Sequence, residues 1–267
     1  MYAEDLEVPH SIYDLERVLD WEKRIANYSP SVQQKYRALI KKKDDLFRYL
    51  DEDKSNGWSV MINNKKKDLY AETRNSERGI PMIRARTYSN YDPLTTFRIV
   101  GSSDMRPKYD KNIHYCKMID KLGTNLLVGY QRSHRIITVA PRDMYQEGLG
   151  NCEADGTIWI ALHDADSTEY PVESGIVRMS TPIAGFRFTP YPDDPSKCTV
   201  EMLIECNIGG LIPNWIFKQV LGEMAYGLVN LRALLPDWYK KNKKQLAKDK
   251  LIEQQKHLEG KGKIYKN

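Results

Sequence analysis

At 267 residues, with 41% hydrophobic and 29% charged residues, the chain has ordinary globular composition, which excludes a disordered or fibrous protein. No stretch approaches the roughly 18–20 uninterrupted apolar residues of a membrane-spanning helix. The net charge of +5 belongs to the tail: residues 236–267 hold ten lysines against four acids, a surplus of six, which leaves residues 1–235 at −1. A neutral body with a basic tail argues against nucleic acid as a partner and gives the tail a job of its own, or solubility alone.

The chain opens with "MYAEDLEVPHS", which is acidic and has neither the apolar core of a secretory signal nor the Arg-rich character of a transit peptide, so a cytoplasmic location is expected. Apolar residues at helical spacing predict a first helix over residues 12–26 and a second over 31–50, with Ser29-Pro30-Ser31 as break and cap. "GWSVMINNKKKDLYAETR" predicts two short strands around a polar turn at 63–68, and "MIRARTY" a third strand. Asp92-Pro93 opens a short helix. From 113 to 207 the texture is β almost throughout, about six strands separated by glycine, proline and acidic turns, with 140–151 read as a loop. Sequential strands without helical crossovers predict an antiparallel sheet.

A long helix is expected from Pro213 to Leu235. Phe217, Val220, Leu221, Met224, Leu228, Leu231 and Leu235 form one stripe, and Trp215, Ile216, Ala225 and Val229 widen it. So apolar a helix must be covered over most of its girth, and Lys218, Glu223 and Arg232 rule it out as an ordinary membrane span. Gly222 and Gly227 read either as close-packing points or as flexible points that admit a ligand. After a curved antiparallel sheet, such a helix has one place to pack, inside the curve.

The cysteines, Cys116, Cys152, Cys198 and Cys206, have no zinc or redox spacing and read as reduced thiols; no metal or cofactor is expected. There is no nucleophile elbow, Walker loop or dinucleotide fingerprint, and His163 to Asp166 reads as a solvated turn, so no enzymatic activity and no catalytic residue are expected.

Four motifs, in order, carry a resemblance. "RPKYD" (Arg106 to Asp110) is similar to R-x-x-W-D, "APRDMY" (Ala140 to Tyr145) to P-R-D-F/Y, "SGIVRM" (Ser174 to Met179) to S-G-V-I-R, and "NIGGLIPNWIFKQVL" (Asn207 to Leu221) to D-x-x-G-x-I/L-P-x-W. Together they resemble the START (steroidogenic-acute-regulatory-related lipid transfer) family over roughly residues 31–235, with Tyr109, Met144 and Asn207 as departures. The glycine-rich stretch is nearer the phosphatidylcholine-transfer branch and "PRD" nearer the steroidogenic branch, so phospholipid and sterol both stay open.

The resemblance implies an α+β helix-grip fold: a curved antiparallel sheet wrapped around a long C-terminal helix, with an internal apolar cavity. Residues 1–30 then form an N-terminal helical extension, 31–235 the lipid-binding domain, and 236–267 a basic helical tail. Expected cavity walls are Met118, Trp159, Met202, Ile204, Leu211, Trp215, Val220, Met224 and Leu228. Arg178, flanked by Ile176 and Val177, and Arg84 and Arg86 in "MIRARTY", are candidate anchors for a lipid head, or else are solvent-facing or internally paired. Arg142-Asp143 reads as a structural pair. Lys240, Lys241, Lys243 and Lys244 are expected to meet anionic membranes, or a protein partner. The expected function is non-enzymatic lipid binding and transfer, at membranes to which the protein attaches peripherally. The rival is a structural subunit that keeps the fold as a scaffold and uses both extensions as docking arms.

Overall fold

The computed structural model describes residue 22 and residues 25–264, except 124, 136–138, 154, 167, 169, 211 and 213; for residues 214 and 248–264 it describes the backbone alone. Most of the expected first helix, with Leu211 and Pro213, lies outside the described residues.

Helix α1 (Pro30–Asp51) begins where expected: Ser29 accepts a hydrogen bond from the Val32 amide, and Pro30 sits in the first turn, where its missing N–H costs nothing. Strands β1 (Ser59–Asn64), β2 (Leu69–Asn75) and β3 (Pro81–Ser89) follow, then α2 (Pro93–Gly101), capped by the Asp92 carboxylate on the Thr95 amide, and the single turn α3 (Arg106–Tyr109). The second half runs β4 (Ile113–Gly123), β5 (Leu126–Ser133), β6 (Arg142–Cys152), β7 (Ile158–Asp164), β8 (Val177–Arg178), β9 (Ser180–Tyr191), β10 (Asp194–Asn207) and α4 (Asn214–Ile264).

One sheet contains all the strands, in the order β1-β2-β3-β10-β9-β7-β6-β5-β4 with every neighbour antiparallel; β8 adds a short parallel pair beside the start of β6. Register shifts in β1/β2, β4/β5 and β9/β10 mark bulges, which bend strands and increase their twist. Both faces are covered. Leu203, Ala161, Leu149 and Leu126 form a row on the outer face, under Tyr36, Leu39 and Leu46 of α1. Ala85, Met202, Phe186 and Ile160 form a row on the inner face, under α2, α3 and α4. This is the expected helix-grip architecture.

Two expectations need correction. The loop expected at 140–151 is instead strand β6, buried along its whole length between β5 and β7. Its composition, "RDMYQEGLGNC", misleads because Asp143, Gln146 and Glu147 are buried and each has a partner in Arg178, Gln131 or Lys35. The closing helix also does not stop at Leu235. It runs unbroken past Pro236, and its 51 residues make it ~77 Å long.

Candidate functional site

Between the inner face and α4 lies a cavity of about 70 Å³. Helix α4 is its lid. The helix is tied down by Asn230, which donates to the Tyr109 carbonyl at 3.0 Å, and by Asn112, which donates to the Val220 carbonyl at 3.4 Å. A Cβ on Gly227 would lie 3.5 Å from the Tyr109 carbonyl, an ordinary van der Waals contact, so the space would admit an alanine and close packing does not by itself require this glycine. Met224 closes the cavity from the helix side; Ile160, Leu162, Ala184, Phe186 and Ile204 line it from the sheet.

One end of this apolar space is polar. Arg106 reaches it from α3 and is locked on three sides: Nη2 pairs with Asp110 Oδ2 at 2.8 Å, Nη1 donates to the Tyr109 hydroxyl at 3.1 Å, and Nε donates to Gln131 Oε1 at 3.0 Å. The Tyr109 hydroxyl in turn donates a hydrogen bond to the Val100 carbonyl at 2.8 Å, and Gln131 donates onward to Gln146 Oε1 at 3.1 Å. Burial works to lower the pKa of Arg106, but Tyr109 and Asp110 outweigh it and the net shift is upward, so the group stays a cation. Burial raises the pKa of Tyr109 and keeps the phenol neutral, with Arg106 pulling the other way. Thr181 lines the same cavity and its Oγ1 is buried without a hydrogen-bond partner. Such an orphan costs roughly 1–3 kcal/mol, and a polar group arriving inside the cavity could satisfy it.

The expected site residues divide. Met202, Ile204, Val220, Met224 and Leu228 all belong to the buried cluster between sheet and lid, and Met118 packs against its edge; Ile204 and Met224 touch the cavity. Trp159 stands on the outer face among the residues under α1, its indole donating to Glu153 at 2.7 Å. Arg84 and Arg86 stand outward too, since on β3 it is Ile83 and Ala85 that point in. Arg84 is paired with Glu72 and caps the carbonyls of Tyr49 and Glu52; Arg86 is exposed. Arg178 is paired with Asp143, so Asp143 is not the partner of Arg142. Trp215 is 59% exposed on the first turn of the lid. Lys240, Lys241, Lys243 and Lys244 are all exposed.

Sequence reasoning missed the polar end. Arg106 and Asp110 were in view as a motif, and their i,i+4 spacing is the signal that could have found the ion pair. Gln131, Gln146 and Thr181 carried no signal of their own.

The START domain model matches residues 41–235. The chain belongs to the START domain family. A further sequence match is to steroidogenic acute regulatory-like protein 1 of Caenorhabditis elegans, 22% identical over 118 residues; it spans 44% of this chain and 46% of that protein. Among solved structures, human StAR-related lipid transfer protein 5 superposes with a TM-score of 0.68 at 18% identity, over 76% of this chain and 97% of that one. Human STARD10 superposes at 0.63 and 17%, over 76% and 82%. At these identities the structural likenesses speak to the START fold. The match ends at Leu235, so α4 carries 29 residues past it. Among the described residues no helix is long and apolar enough to cross a membrane.

Proposed function

We propose that this START domain binds one lipid between its sheet and α4 and carries it between membranes without chemical change. The observation that carries the reading is an apolar cavity whose lining includes a permanent cation, Arg106, held by Asp110, and an unpartnered Thr181 hydroxyl. The lipid's polar end, a phosphate, carbonyl or hydroxyl, meets Arg106, Gln131 or Thr181, and its hydrocarbon lies along Ile160, Phe186 and Met224. Each buried CH₂ contributes about 0.8 kcal/mol.

A cavity of about 70 Å³ is roughly half of one known to take up a benzene-sized ligand, so on this reading the lipid needs a more open form. Uptake requires α4 to move away from the sheet. The hinge is at Gly209 and Gly210, both left-handed at φ 65° and 74°. On this reading Trp215, which is exposed, enters the membrane interface as the lid opens, and the exposed Lys240, Lys241, Lys243 and Lys244 meet anionic headgroups. The scaffold reading draws on two observations, the small cavity and the extension of α4 past the domain. Native mass spectrometry of the full chain separates them: a co-purified lipid of defined mass supports carriage. A protein that stays lipid-free after incubation with mixed phospholipid and sterol vesicles would falsify carriage and leave the scaffold.

A further inference from the structure

The outer face of the sheet, near its β4 edge, carries a group of tyrosines that the cavity does not use. Tyr130 and Tyr145 alternate along β5 and β6 with Gln131, Met144 and Gln146, which line the cavity, so their rings stand on the opposite face. Tyr115 on β4 lies 6.4 Å from Tyr130 between ring centroids. Tyr170, from the β7–β8 connection, lies 4.8 Å from Tyr130 and stacks on Tyr145 at 5.2 Å and 17°. The Lys117 ammonium sits among three of these rings, 6.0 Å from the centroid of Tyr115, 5.8 Å from Tyr130 and 5.4 Å from Tyr170. Tyr130, 2% exposed, is the floor of this box; Tyr115, 42% exposed, is a wall open to solvent. Glu173 stands at the rim, paired with Arg132 at 2.9 Å.

The dimensions do not suit the present occupant. A bare ammonium in contact with a ring face stands at about the van der Waals distance, ~3.5–4 Å. A quaternary nitrogen is held off by one further C–N bond of ~1.5 Å, which puts it ~5–5.5 Å from each centroid. Three rings at 5.4 to 6.0 Å therefore form a box that is loose around Lys117 and close to the size of a trimethylammonium group. Aromatic faces attract such a cation through the ring quadrupole, and a methylated cation sheds its water at lower cost than an ammonium. Lys117 is held by a hydrogen bond to Tyr170, but it hangs on a flexible stem and can exchange that bond for water without disturbing the strand.

We propose that Tyr115, Tyr130 and Tyr170 form a second binding site, on the face opposite the cavity, for a quaternary ammonium ion of the choline type, with Lys117 as its exchangeable internal occupant. The cation comes either from a soluble choline-like compound or from a choline headgroup at a membrane surface. The site is independent of whatever the cavity holds.

The test is titration of the full chain with tetramethylammonium and with choline, followed by NMR of the tyrosine rings. Saturable shifts of Tyr115, Tyr130 and Tyr170 are expected, with a dissociation constant on the order of millimolar. Lys117→Ala, which empties the box, should tighten binding about five- to tenfold, and adding Tyr170→Ala should weaken it again by roughly three- to fivefold. Potassium at equal ionic strength should give no shift. Linear, unsaturable shifts in both wild type and Lys117→Ala, or equal shifts with potassium, overturn the proposal. The source is then read from vesicles: stronger retention of Lys117→Ala on phosphatidylcholine than on phosphatidylethanolamine assigns the membrane headgroup, and equal retention assigns the soluble cation.

Discussion

Arg178 grips Asp143 with two hydrogen bonds, Nε to Oδ1 at 2.7 Å and Nη2 to Oδ2 at 3.0 Å, while Nη2 also reaches the Tyr170 carbonyl at 3.0 Å. The hydrogen bond to Asp143 is the main reason that the arginine's pKa is raised. Asp143 is fully buried at the start of β6, so this pair joins β8 and the β7–β8 connection to the third strand from the β4 edge of the sheet. The arginine whose position in the sequence best suggested a lipid anchor is thus structural. Arg178→Leu should destabilise the fold by about 3–5 kcal/mol, because it strands a buried carboxylate. In chemical denaturation this appears as a lowered midpoint. Any lipid still bound by the folded fraction should keep wild-type affinity; a large loss of affinity with unchanged stability would return Arg178 to the ligand.

Thr181 gives the opposite signature. Its hydroxyl lines the cavity with no partner, so Thr181→Val, which is close in shape, removes an unpaired polar group at little packing cost. The variant should be as stable as wild type or more so, by up to about 1–3 kcal/mol. Uptake of a lipid whose polar end donates or accepts a hydrogen bond there should fall. Thermal unfolding and native mass spectrometry on the same sample check both halves.

His163 sets a pH dependence. Its pKa is pushed down to about 4, by burial first and then by Lys42. Glu147 lies 3.6 Å from Nε2 and on distance alone would favour the charged ring, but Lys35 already pairs with that carboxylate, so the downward direction holds. In the unfolded chain the imidazole titrates near 6.5. The folded state keeps it neutral until about 4, so its contribution is fully present above ~6.5 and is lost as pH falls towards 4. The loss amounts to at most about 3 kcal/mol. His163→Gln should flatten this part of the stability curve; an unchanged slope between pH 6.5 and 4 would assign it to carboxylates instead.

The contrast between these residues shows what the sequence could carry. The antiparallel sheet and the greasy last helix were legible, because sequential strands without crossovers and one-dimensional periodicity carry them; the order of strands across the sheet, with β3 beside β10, was not. Which face a strand residue takes was not. A period of two has two phases, and here both faces are apolar: α1 covers one and α4 the other. "MIRARTY" fits equally with its arginines in or out, and the carboxylate that decides, Glu72, lies on the neighbouring strand. Trp159 was misplaced for the same reason. Strand β6 was invisible because its buried polar groups are matched by partners far along the chain, Arg178 for Asp143 and Lys35 for Glu147. The polar end of the cavity needs three strands and a helix turn to converge, which no local pattern records.

Arg142 makes the last prediction, because its guanidinium holds the segment before α4 that is proposed above as the hinge. Nε donates to the Ile208 carbonyl and Nη2 to the Gly209 carbonyl, both at 3.0 Å, and Nη1 donates to Ala140. Burial lowers its pKa, and among the described residues no carboxylate pairs with it, so dipoles alone fix this cation. The space around the hinge is tight: a Cβ on Gly209 would lie 3.1 Å from Val177 Cγ1, and one on Gly210 would lie 3.5 Å from Arg142 Nη2. Arg142→Gln removes the charge and two of the three grips. Each hydrogen bond to a charged group contributes about 1.5–3 kcal/mol, so local opening at Ile208 and Gly209 should rise at least tenfold. Hydrogen exchange reads this directly at the amides of Ile208 and Gly209. If opening of the lid limits lipid uptake, the uptake rate from vesicles should rise in the same proportion, with the affinity set by Arg106 and Thr181 little changed. Faster exchange with unaltered uptake would mean that the lipid enters by a route that leaves this hinge closed.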